Sequence, residues 1–231
     1  MHCEDNPFLS PVLEHYVFML HNEEMFVRQA ACHGLEVFVG HAFRLLRSPQ
    51  KNKTVWGNIV DVLTGVLLPS LHESLRSESP AVRKGVLGII ACVVKHGHHA
   101  YAENEPWIKF CSLEDAQASA KLHVDLSPML NEKDREQDLF ANLRHIQVHR
   151  IVRAVRGLRT MLEEGELDLS EHTCQSVVLP IALHFVVESS DQKASLLKEE
   201  AVSLVATVAG RMSWQHYWPL LRSTIRKIKV C

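Results

Sequence analysis

The sequence predicts an all-α protein whose helices pair into antiparallel hairpins and stack as a solenoid. Three observations carry this expectation. Apolar residues recur at intervals of three and four along most of the 231-residue chain, which is the spacing of one helix face. Prolines, serines and short polar runs cut these periodic segments at hairpin intervals. The segments also resemble one another: Val27-Arg28-Gln29-Ala30 lies over Val82-Arg83-Lys84-Gly85, Pro11 falls near Pro69, and Val178-Leu179-Pro180 repeats Leu67-Leu68-Pro69. A lone hairpin cannot bury its apolar face, so such similarity implies neighbours stacked on each other.

Taken in order, Pro11 to Val39 reads as two helices joined near His21–Glu24. The polar stretch Ser48–Lys53, with Pro49, breaks the pattern before a helix from about Val55 to Leu75. Ser79 can cap the next helix, with Pro80 in its first turn and an end near Lys95. Leu67 to Val94 resembles the HEAT pattern: leucine-leucine-proline, a short break, then valine-arginine and a small residue. Between His96 and Asp138 the periodicity fades into an acidic and polar segment with Pro106 and Pro128, expected to be a loop with short helices. Leu139 to Glu164 then reads as one amphipathic helix, preceded by Glu132, Asp134, Glu136 and Asp138 and stopped by Gly165. Ser170 can cap a helix running through Phe185. Leu196 to Met212 forms its partner, and Trp214, Tyr217 and Trp218 introduce a last helix. The expected organisation is HEAT-like repeats over 1–96, a polar insertion over 97–138, and the basic helix with further HEAT-like helices over 139–231.

Composition excludes several classes. A formal charge of −2 is incompatible with a generally basic, nucleic-acid-coating protein, so any such contact must be local. Six scattered cysteines without a CxxC pair or a secretory leader suggest a reduced intracellular protein. The apolar run Val86 to Val94 is too short for a span of roughly 20 residues, so membrane insertion is not expected.

Chemistry-bearing constellations are sparse. His96, His98 and His99 are the most metal-like group, but no cysteine lies near them, and a solvated helix end is the expectation. Only His72-Glu73 supplies the His-Glu order of an iron-binding repeat hydroxylase. No GxSxG, P-loop, HExxH or glycine-rich dinucleotide motif occurs, so neither an enzyme nor a cofactor nor a small-molecule substrate is expected. The cysteines read as small buried residues, and Trp107, Trp214 and Trp218 as packing anchors rather than a base-stacking platform.

The basic helix is the exception. Leu143, Ile151, Ala154, Val155, Leu158, Met161 and Leu162 fall on one side of it. His145, His149, Arg153, Arg156 and Arg159 fall on the other, flanked by Arg144 and Arg150, with no acidic partner at i±4 before Glu163. Arginine's planar fork suits phosphate oxygens. These seven residues are therefore the candidate contact for RNA or an acidic partner.

The string Phe140 to Arg150, FANLRHIQVHR, continuing to Arg153, Ala154 and Leu158, resembles the down-regulated-in-metastasis family, very large HEAT-repeat proteins of the small-subunit processome. The stretch Trp214 to Arg222, WQHYWPLLR, is similar to a later segment of that family. The resemblance spans roughly Leu130 to Lys229, and Ile151 stands where the family has a second consecutive arginine. What it implies is a non-enzymatic nucleolar scaffold of pre-ribosomal RNA processing, working in the nucleus with pre-ribosomal RNA, small nucleolar ribonucleoprotein particles and processome proteins. Family members are many times longer, so the chain is expected to correspond to part of one. The other expectation is a HEAT adaptor that binds only proteins, of the transport-receptor or phosphatase-scaffold type.

Overall fold

The computed structural model describes residues 9–47, 53–103, 122–188 and 195–230, and within these every regular element is helical. Helices α1 (Leu9–Met19) and α2 (Met25–Arg47) form the first hairpin. The second pairs α3 (Lys53–Val62), a π turn (Leu63–Leu67) and α4 (Leu68–Ser74) with α5 (Pro80–Glu103). After α6 (Leu122–Asp125) and a 3-10 turn (Ser127–Met129) come α7 (Leu139–Leu143) and α8 (Val148–Glu164). The chain continues through α9 (Glu171–Thr173), a π turn (Cys174–Val178), α10 (Leu179–Glu188), α11 (Ser195–Ala209) and α12 (Trp214–Val230). This is the all-α helical-repeat fold that the periodicity predicts.

The second helix of each hairpin packs along that of a neighbour, α2 along α5 and α8 along α11, and α5 meets the later hairpins through α6 and α7. One continuous core runs from Leu13 to Val208. In the second hairpin Leu67, Leu71, Leu75, Val82, Val86, Leu87 and Ile90 are all buried in this common core.

The internal similarity has a hydrogen-bonding counterpart. Arg28 Nη1 donates to the carbonyls of Asn22 and Glu23 at 2.7 and 2.6 Å, and Arg83 Nη1 donates to those of Ser77 and Glu78, both at 2.7 Å. In the same turns Glu24 N–H donates to Asn22 Oδ1 and Ser79 N–H to Ser77 Oγ. Each arginine thus reaches back from its helix to tie the preceding turn. The proline match is equally concrete. Pro69 and Pro180 each stand second in a helix entered from a π turn. Proline lacks an N–H and its ring crowds the carbonyl four residues back, and the wider π turn relieves both problems.

Three expectations need correction. Leu139–Glu164 is two helices, because the chain turns at Arg144–Gln147 between α7 and α8. Asp138 caps α7 by accepting from Ala141 N–H at 2.6 Å, and Gly165 ends α8 with φ 76°. The long helix of the second hairpin continues past Lys95 to Glu103, absorbing the start of the expected loop. Trp214 and Trp218 are not packing anchors: they are 70% and 47% exposed. Trp107, most of the Ser48–Lys53 break and residues 104–121 of the insertion lie outside the described residues.

Candidate nucleic-acid interface

The turn between α7 and α8 lies beside the N-terminal half of α5, from Lys84 to Gly88, and gathers cations at one edge of the solenoid. Arg144 lies across α5 at Gly88, where a Cβ would stand 2.7 Å from Arg144 Nη1. Glycine is what admits the guanidinium there. His145 occupies the turn position held by Asn22 and Ser77 in the earlier hairpins, its Nδ1 accepting from Gln147 N–H at 3.1 Å. That bond requires an unprotonated Nδ1. Partial desolvation, and then the nearby charges of Arg150, His149 and Lys84, hold the His145 pKa below its ordinary value, which favours the accepting form. Exposed Lys84 on α5 and exposed His149 on α8 complete the edge, with Ile146 standing 88% exposed between the cations.

Ile151 stands where Arg28 and Arg83 stand relative to their turns, and it is buried in the core. Arg150, one residue earlier, does the tying instead: its Nε donates to Asn142 Oδ1 at 2.9 Å and its Nη2 to Arg135 O at 3.5 Å. Asn142 in turn donates to the carbonyls of Glu136 and Asp138.

Further along α8 the predicted stripe is neutralised by neighbouring elements. Arg156 Nη2 pairs with Glu200 Oε1 at 2.7 Å, and Arg159 Nε with Glu200 Oε2 at 3.2 Å, so one carboxylate of α11 joins two arginines of α8. Arg159 also pairs with Glu163 at 2.6 Å. The hydrogen bond from Arg159, and then that from Thr207, hold the Glu163 carboxyl below its usual range. Arg153 meets Glu136 at 3.5 Å, both side chains well exposed. The seven predicted residues therefore divide. Arg144, His145 and His149 share the open edge with the tethered Arg150, Arg153 holds a loose exposed pair, and Arg156 and Arg159 brace the α8–α11 contact. Lys84 was not singled out by sequence reasoning, although its place next to Arg83 in the repeated valine-arginine string is a signal that could have found it.

Nothing in the described residues is arranged for catalysis by a thiol or a clustered metal. Burial pushes the Cys92 and Cys174 thiols up to about 11 and raises Cys32, which keeps all three protonated. Among the described residues no three His, Cys, Asp or Glu side chains converge on a possible metal position.

No family model matches the chain. It is similar to the U3 small nucleolar RNA-associated protein 20 of Saccharomyces cerevisiae, with 25% identity over 220 residues that make up 95% of this chain and 8% of that protein. It is also similar to the protein of the same name from Schizosaccharomyces pombe, 23% identical over 220 residues with the same coverage. The chain thus spans about 8% of the length of these relatives.

Proposed function

We propose that this chain is a non-enzymatic scaffold segment of small ribosomal subunit assembly, acting in the nucleolus where pre-ribosomal RNA is processed. The observation that supports it best is likeness along 95% of the chain to a U3 small nucleolar RNA-associated protein in two yeasts. A helical solenoid suits such a role because stacked hairpins present a long surface without needing a pocket. On this reading the edge formed by Lys84, Arg144, His145, His149 and Arg150 approaches RNA phosphates, with Arg153 released from Glu136 to join it. Pre-ribosomal RNA, small nucleolar ribonucleoprotein particles and processome proteins are the partners. The three-part organisation with boundaries near 96 and 138 belongs to the same proposal.

A second reading is an adaptor that binds only proteins. It is favoured by the engagement of Arg153, Arg156 and Arg159 with Glu136, Glu163 and Glu200, which leaves less free positive charge than the sequence implies. Sedimentation of nucleolar extracts separates the two. A scaffold of RNA-containing particles migrates with large complexes and leaves them after ribonuclease treatment, whereas a protein adaptor keeps its partners.

A further inference from the structure

Helix α12 opens with an aromatic group that the rest of the fold does not use. The Trp214 ring lies 5.8 Å from that of Tyr217 and 5.5 Å from that of Trp218, with interplanar angles of 26° and 28°. Leu220 and Met212 pack on the core, while Trp214 and Trp218 keep much of their surface in water. The same helix carries Arg222, Arg226, Lys227 and Lys229 and contains no Asp or Glu. Arg222 follows Trp218 at an interval of four, so helical register sets the exposed guanidinium beside the exposed ring. A stacked, exposed set of rings beside an exposed arginine, on a helix without acidic residues, is a pairing suited to single-stranded nucleic acid. Aromatic faces extend the stack with unpaired bases, and cations follow the backbone phosphates.

We propose that α12 is a contact for single-stranded RNA, separate from the edge at Arg144 and Lys84, in which Trp214 and Trp218 stack unpaired bases and Arg222 holds a backbone phosphate. The assignment to RNA rests on the function proposed above. The preference for a single strand rests on the rings alone, since a duplex keeps its base faces covered.

The test is fluorescence anisotropy with the full 231-residue chain and a labelled oligouridine of about 12 nucleotides, compared with an RNA duplex and an oligodeoxythymidine of equal length. The parent should bind the oligouridine more tightly than the duplex. Trp214→Ala combined with Trp218→Ala should weaken single-strand binding roughly tenfold or more, leaving duplex binding and the thermal midpoint unchanged. Trp214→Phe with Trp218→Phe should retain most of the affinity, which guards against a fault in folding. Arg222→Glu should lower the salt slope by about 0.7, the value for one phosphate contact on a single strand. Equal binding of single strand and duplex, or an alanine variant that binds as the parent does, overturns the proposal; the latter is the result a protein-docking face would give. Tighter binding of the deoxy strand overturns the assignment to RNA. Lys84→Glu with Arg144→Glu should spare the single-strand preference, so failure of the cationic edge and failure of α12 are told apart.

Discussion

Glu200 is the acceptor on which two of the basic residues converge, and its side chain is only 11% exposed. A largely buried carboxylate that holds two guanidinium groups contributes more than a surface pair, because solvent does not fully replace either partner. Glu200→Gln should lower stability by about 1–2 kcal/mol, read as a fall in the urea midpoint with unchanged slope. RNA affinity should not move, whereas Lys84→Glu with Arg144→Glu should weaken RNA binding and reduce its salt slope by roughly two units on a duplex. If the Glu200 variant changes affinity and the edge variant does not, the assignment of the two groups is reversed. Arg144 and His145 stand in the turn before α8, off the single helix that the sequence implied, whereas Arg153, Arg156 and Arg159 were legible on α8 from their periodicity. Their partners were not, since Glu136 and Glu200 are distant along the chain from the arginines they meet, and no helical spacing announces a contact between repeats.

His72 makes a pH-dependent claim at the same scale. It is buried at the junction of α4 with α9, its ring 5.5 Å from that of His172, and its Nε2 meets no hydrogen-bond partner among the described residues. Burial first, then the charges of His172 and Arg76, lower its pKa from 6.5 to about 4. The unfolded chain takes up a proton as pH falls below about 6.5, while the native state resists until about 4. Its contribution is therefore complete above about 6.5 and is lost as pH falls through that window, by an amount on the order of 3 kcal/mol. Urea midpoints at pH 7.5, 6 and 5 check this. His72→Val, which installs the residue type of Val17 at the matching place in the first hairpin, should flatten part of the decline; an identical pH profile in the variant would assign the effect to other histidines.

At the scale of the element, the repeated unit is a hairpin whose turn is tied by an arginine. Arg83 is buried and Arg28 half-buried, so loss of the two charge-assisted bonds should be felt more at Arg83. Arg83→Ala should cost about 2–3 kcal/mol and Arg28→Ala about 1 kcal/mol less, measured by chemical unfolding. Leu71→Ala or Ile90→Ala should cost about 2–5 kcal/mol, because both are fully buried. A loss below about 0.5 kcal/mol at either, the range of exposed sites, would contradict that packing. The valine-arginine string was legible as a repeat because the turn geometry that it serves recurs. The break between α7 and α8 was missed for a related reason: Leu143, Ile151, Ala154 and Val155 all face the core in both helices, so the apolar period runs through a turn that His145 closes by a side-chain bond in place of asparagine or serine.

Across the whole molecule, stacking hairpins solves burial in the middle of the array and leaves it unsolved at the outer faces. The first hairpin exposes Val12, Phe18, Val37 and Leu45, and the last helices expose Val187, Leu196, Val202, Trp214 and Trp218. These two groups belong to different surfaces, so contact between copies would be head-to-tail and would not close on itself. The isolated 231-residue polypeptide should accordingly be helical by circular dichroism and grow in mass with concentration in sedimentation equilibrium, without the plateau of a defined dimer. Phe18→Lys with Val37→Lys should suppress that growth and leave helicity unchanged, since neither side chain is part of the buried core. A monodisperse parent at high concentration would show that the terminal apolar groups are too dispersed to associate. Growth unaffected by the double lysine change would instead move the contact to the aromatic end, where the alanine variants of Trp214 and Trp218 provide the complementary measurement.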